Sequence, residues 1–114
     1  MRELVFKDVC RKAQEETGLD IRYTKSRKKD IVQTKSAIVN VLHKFYGFNL
    51  VQIGELIGMH HTTVIHHLRD HPSRYRFEDD YCQLFDKLSR HAMSTSEHIS
   101  VEKTLNLMRN ALSV

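Results

Sequence analysis

Proline occurs once, at Pro72, and glycine only at Gly18, Gly47, Gly54 and Gly58 in a chain of 114 residues. So few backbone breakers, with little alternation of β-branched residues, argue against a strand-and-turn architecture and for an all-α fold. Cysteine is equally sparse. Cys10 and Cys82 stand alone without metal-ligand spacing, which predicts buried free thiols in a reducing cytosol, a disulfide being the lesser alternative. No apolar run approaches the length of a bilayer span and no charged-then-apolar leader opens the chain, so a cytoplasmic protein with no membrane partner is expected. The phosphate-cradling G-x-x-x-x-G-K-[ST] loop is missing, as is any nucleophile–base pattern. Glu78, Asp79, Asp80 and Asp86 read as surface charge. An enzyme is therefore not expected, nor a cofactor.

Positive charge and histidine are what the chain has in quantity. The net charge is +4 with histidine neutral, against 40% hydrophobic and 28% charged residues, the balance of an ordinary soluble domain. Residues 1–76 hold 14 Lys and Arg against 8 Asp and Glu, whereas residues 77–114 hold 4 against 6. A basic first two thirds suits a protein that offers one face to a polyanion, although an anionic membrane surface would meet the same charge. Eight histidines invite a metal reading, and His67 and His71 share a helical face at i, i+4. Between them stands L-R-D rather than a zinc-site glutamate, no third ligand is specified, and Pro72 is expected to fray the helix there, so no metal site is expected.

Periodicity divides the chain into helices. Phe6, Val9, Cys10 and Ala13 mark one over residues 3–17, ending at Gly18 and showing solvent a mixed-sign face of Lys7, Asp8, Arg11, Lys12 and Glu15. Leu19, Ile21 and Tyr23 then anchor a short turn. Arg22, Lys25, Arg27, Lys28 and Lys29 follow as the densest positive charge in the protein, read either as a solvated loop or, given their place, as a phosphate clamp or groove-reaching arm. Ile38, Val41, Leu42 and Phe45 predict a central helix over 31–46 that closes at Gly47. Its polar start, Gln33 to Ser36, is placed to face outward onto the backbone of a bound nucleic acid. His71-Pro72-Ser73 should break the helix before it, leaving Arg74 to Arg76 in a loop. Phe77, Tyr81, Leu84, Phe85 and Leu88 mark the next helix, with acidic Glu78, Asp79 and Asp80 at its positive end. Met93 to Glu97 reads as a linker. Val101, Leu105, Met108 and Leu112 predict a last helix over about 101–112, which either covers the core or seals a homodimer. The division is a first unit over 1–92 and an added segment over 93–114.

The stretch from Asn49 to Asp70 organises the rest. Asn49 is a plausible N-cap, Ile53, Leu56 and Ile57 mark one buried face, and Gly58 ends the helix. A second helix starts near His60 or His61 with Val64 and Leu68 inward and Thr62, Thr63, His66 and Arg69 outward. Two short helices on a glycine turn make a helix-turn-helix, whose second helix enters the major groove of duplex DNA. An αα-hairpin used only for packing is the alternative.

The run I-G-x-x-x-G-x-x-H-T-T-V-x-H, from Ile53 to His66, resembles the signature of the C-terminal DNA-binding domain of the bacterial replication initiator DnaA. The resemblance extends from about Val5 to Leu88, and beyond about His91 it stops. It implies an all-helical domain whose recognition helix reads a short box at a replication origin. By the same resemblance His61 and Thr62 touch bases, while Thr63, His66, Lys35 and the backbone near Leu50 and Val51 hold phosphates. The basic segment with Arg27, Lys28 and Lys29 serves the same duplex. Met59-His60 stands where the family carries Arg-Asp, so His60 joins the base-reading set with an imidazole that can donate to guanine. The position of the family's groove-reaching arginine falls at Gln33. The expected partner is double-stranded DNA, bound with sequence preference by a regulator or accessory replication factor that has no ATPase of its own. The competing expectation is a protein-interaction module that kept the fold and lost the DNA.

Overall fold

Helix α1, Arg2–Thr17, turns Phe6, Val9, Cys10 and Ala13 inward, the positions its periodicity assigns to the core. It stops at Gly18, whose φ of 75° lets its N–H reach back to the Gln14 carbonyl at 2.7 Å. A single 3₁₀ turn, Ile21–Tyr23, then seats Ile21 in the core. The structure, a computed structural model, describes residues 2–23 and 26–94. Among these every regular element is helical. The helix expected over 101–112, and the dimer seam built on it, lie outside the described residues.

Helix α2, Lys29–Tyr46, is the centre of the fold and packs on α1, on α3, Leu50–Ile57, and on α4, His61–Phe77. From Ser36 to Leu42 it is buried on every side. Gly47 closes it in the left-handed conformation, as the sequence suggests. Its polar start departs from expectation. Gln33, Thr34 and Ser36 are buried rather than turned outward. Gln33 donates to Glu78 at 2.6 Å and the Thr34 hydroxyl to the Asp30 carbonyl at 2.7 Å, so internal partners replace water.

A second departure lies at Pro72. Helix α4 does not break at His71-Pro72-Ser73 but runs through it to Phe77, so Arg74 to Arg76 are helical. Pro72 is exposed, and on the solvent face of a helix the backbone bonds are already the longest, so losing one there costs least. The inward side holds the segment in place: the His71 ring lies 4.4 Å from Phe85, and Tyr75 meets Phe85 edge-on at 5.8 Å. Glu78 ends α4 in an extended conformation. Phe77, expected to join the core of the next helix, is instead 74% exposed at the tail of α4, with the Arg76 guanidinium 5.3 Å above its ring.

Residues 79–94 form α5, which buries Tyr81, Leu84, Phe85, Leu88 and Ala92. Met93 and Ser94 belong to this helix and not to a linker. A polar seam crosses the packing of α2, α4 and α5. Asn40 Nδ2 donates to the Ser36 and His67 carbonyls at 2.9 and 3.2 Å and to Tyr81 Oη at 3.4 Å. The Tyr81 hydroxyl in turn shares a hydrogen bond with His71 Nδ1 at 2.6 Å. His67 and His71 do share one helical face, but it is the buried one, and desolvation pushes the pKa of both rings down to about 4.

Candidate nucleic-acid interface

The α3–α4 turn is built around Gly54. Its carbonyl accepts from both Gly58 N at 2.8 Å and Met59 N at 2.9 Å, which doubles the chain back on itself. A Cβ at position 54 would stand 2.5 Å from the Met59 carbonyl oxygen, so only glycine lets the turn lie this close. Gly58 caps α3 with φ 79°, as expected of the residue between the two helices.

Helix α4 begins with a cap that sequence reasoning did not foresee. His60 is its N-cap, with Nδ1 accepting from Thr62 N at 3.2 Å and lying 2.9 Å from Thr62 Oγ1. Histidine is not among the favoured N-caps, and the only signal for it was its place just before the helix. Its ring packs on that of His61 with centroids 4.1 Å apart. Beyond this cap Val64 is fully buried, with His67 and Leu68 turned inward, whereas His61, Thr62, Thr63, His66 and Arg69 are exposed. Arg69 Nε lies 3.4 Å from the Asp70 carboxylate. Ile65, which sequence reasoning passed over, joins this outer face at 41% exposure. Its spacing of three residues from Thr62 and four from Arg69 was the available clue.

The other end of the site is the start of α3. Asn49 and Gln52 form a reciprocal capping box: Gln52 N donates to Asn49 Oδ1 at 2.8 Å, and Asn49 N to Gln52 Oε1 at 3.1 Å. Ile53 N already bonds the Asn49 carbonyl at 3.0 Å. The amides of Leu50 and Val51 are thereby left without an acceptor among the described residues, and N–H groups at a helix start suit an anion. A groove of about 300 Å³ joins the two helix starts, lined by Val51, Gly54, Glu55, Gly58, Met59, His60 and His61. Glu55 is its single carboxylate.

The basic arm is not part of this groove. Arg27, Lys28 and Lys29 are exposed and enter no ion pair among the described residues, while Lys35 is half-buried on α2. Arg22 is drawn away from them by Asp20, which takes its Nε and Nη2 at 2.9 and 2.8 Å. Lys25 lies outside the described residues. The Gln33–Glu78 hydrogen bond sets the start of α2 beside the end of α4. The arm and His61 therefore stand at opposite ends of α4, roughly 25 Å apart at 1.5 Å per residue.

Among the described residues no three His, Cys, Asp or Glu side chains gather as a metal site requires, and no helix is long and apolar enough to cross a membrane. Cys10 and Cys82 are free thiols; Cys10 is buried, which pushes its pKa up to about 12, and Cys82 is half-buried. Compared with protein-family models, curated proteins and solved structures, the chain matches none of them.

Proposed function

We propose that this chain binds duplex DNA through a helix-turn-helix formed by α3 and α4, with the N-terminal end of α4 in the major groove. The observation that carries the reading is the groove at the paired helix starts. Exposed His60 and His61 on α4 share it with Val51, next to the unbonded Leu50 and Val51 amides of α3. A duplex supplies both complements, base edges for short side chains and phosphates for amides. His61 and Thr62 then reach bases, while Thr63, His66, Lys35 and the Leu50–Val51 backbone hold phosphates, as the resemblance to the initiator's box-reading domain implies, and Arg69, exposed on the same helix, joins the phosphate set. Arg27, Lys28 and Lys29 engage the backbone further along, since roughly 25 Å falls short of one turn of B-form duplex, about 34 Å. On this reading the protein is a regulator or accessory factor of replication, acting without an ATPase of its own.

A second reading has a specific observation in its favour. Val51 is 57% exposed and Ile65 41% exposed on this same face, and apolar side chains there also suit a protein partner. Selection from randomised duplexes at moderate salt separates the two. Under the first reading a preferred site emerges. Thr62→Ala then costs about 1–3 kcal/mol on that site and little on random DNA, whereas His66→Ala weakens both nearly equally. Wild-type protein that retains no duplex, with alanine at His60, His61 and Thr62 changing nothing, leaves the protein partner as the reading to keep.

A further inference from the structure

The His60 cap fixes the hydrogen-bond polarity of two neighbouring side chains before any ligand arrives. A backbone N–H can only donate, so the 3.2 Å contact from Thr62 N makes His60 Nδ1 an acceptor, and a neutral imidazole with that nitrogen bare carries its proton on Nε2. Thr62 Oγ1 stands 2.9 Å from the same nitrogen. Two lone pairs at that distance repel, so the hydroxyl proton lies between them in a three-centre arrangement with the amide. Thr62 Oγ1 has then committed its only donor and, on an exposed residue, is left as an acceptor. The His61 ring packs on the His60 ring at 4.1 Å, and because Nδ1 faces the Thr62 amide, Nε2 lies on the far side of the ring from it.

We infer that His60 and Thr62 form a preset donor–acceptor pair that excludes cytosine under His60, with guanine and its two acceptors the best match, and requires an amino-bearing base, cytosine or adenine, under Thr62. This rests on the DNA-binding reading above and says which base edges that site accepts. Guanine offers O6 and N7 to the Nε2 proton, and the exocyclic amines of cytosine N4 or adenine N6 offer the proton that Thr62 Oγ1 needs. Cytosine under His60 is rejected, because its amine and the Nε2 proton are both donors. The pair thus discriminates by polarity rather than by reach.

Two measurements separate this inference from the reading it rests on. The first uses no DNA: nitrogen-15 NMR of the His60 ring at neutral pH is expected to show a bare Nδ1 and a protonated Nε2. A proton on Nδ1 overturns the inference whatever the protein binds. The second is selection from randomised duplexes with the wild type, His60→Asp and Thr62→Val. His60→Asp keeps a side-chain oxygen for the cap but offers only acceptors, so cytosine, disfavoured roughly tenfold at one position in the wild type, should become accepted there. Thr62→Val keeps shape and methyl group and should relax the neighbouring position alone. Binding with an unchanged consensus in both variants overturns the inference while leaving DNA binding intact. No binding by the wild type overturns both.

Discussion

Gly54 and Gly58 look alike as residues but do different work. Gly58 takes φ 79° with open space where a Cβ would be, whereas Gly54 has ordinary helical geometry and the Met59 carbonyl 2.5 Å from its absent Cβ. Gly58→Ala should therefore cost roughly 1–2 kcal/mol, the left-handed penalty. Gly54→Ala must push the turn itself, against backbone that two hydrogen bonds hold, and should cost about 1–3 kcal/mol, the range for overpacking a close contact. Denaturant midpoints compare the two directly. Gly54→Ala should also move the start of α4 and weaken duplex binding, which Gly58→Ala does to a lesser degree; equal effects on binding would mean that the close approach at Gly54 does not position the site. Gly58 was legible from its place at the end of a periodic run. Gly54 enters the sequence reading only within the Ile53–His66 run, because nothing local announces that the chain will return over it. His60 was hidden for a related reason: its capping role depends on the angle at which the turn delivers it, not on residue preference.

At the scale of elements, apolar stripes were read well and polar segments poorly. Phe6 to Ala13, Ile38 to Leu42 and Tyr81 to Leu88 sit where a 3.6-residue period puts them, since burial of apolar area depends little on the partner's identity. Gln33 misled because its partner is remote: Glu78 is distant in sequence, and no local pattern foretells that bond. Pro72 misled because a proline's cost depends on which side of the helix it occupies. The basic arm is the element whose role the fold leaves open to direct test. Arg27, Lys28 and Lys29 lie at the start of α2, whose N-cap Lys28 makes no side-chain capping bond, so these side chains are not occupied in holding the helix start. Replacing all three with alanine should leave thermal stability nearly unchanged and weaken every duplex alike. The plot of log affinity against log salt should become shallower by about one unit for each phosphate that the variant no longer neutralises. An unchanged slope would place the arm in free solvent.

For the molecule as a whole, the decisive feature is that its central packing is not wholly apolar. His67 and His71 lie buried between α4 and its neighbours, both held neutral. For His67 desolvation is the largest cause, followed by Arg74, with Lys35 and His66 adding to it and Asp70 opposing; for His71 desolvation comes first and Lys44 second. The unfolded rings titrate near 6.5 and the folded ones near 4. Above 6.5 both states are neutral and the rings make no pH-dependent contribution. Between 6.5 and 4 the unfolded state binds protons that the folded state refuses, so stability falls as pH falls. Below 4 the folded rings protonate as well and this loss levels off. Each unit of difference is worth about 1.4 kcal/mol, which makes the full loss on the order of 3 kcal/mol per ring. Glu16 and Asp20 are held below the usual carboxylate range by their basic partners, and Asp8, against the opposing effect of its own burial, by Arg11 and His91. These carboxylates lose their contribution from near their unfolded values of 4.5 and 3.8 downward, so the histidine window stands alone only above about pH 5. Urea midpoints should stay level in the wild type from pH 7.5 to about 6.5 and then fall as pH drops toward about 5. In His67→Gln and in His71→Phe, whose ring keeps the packing against Phe85, the fall should be about half as steep. Both variants will be less stable at neutral pH, because the seam through Asn40 and Tyr81 is disturbed, but the slope and not the intercept is the test. A wild-type midpoint that stays level from pH 6.5 to about 5 would mean that these rings reach water, and that the buried seam is not as closed as its hydrogen bonds imply.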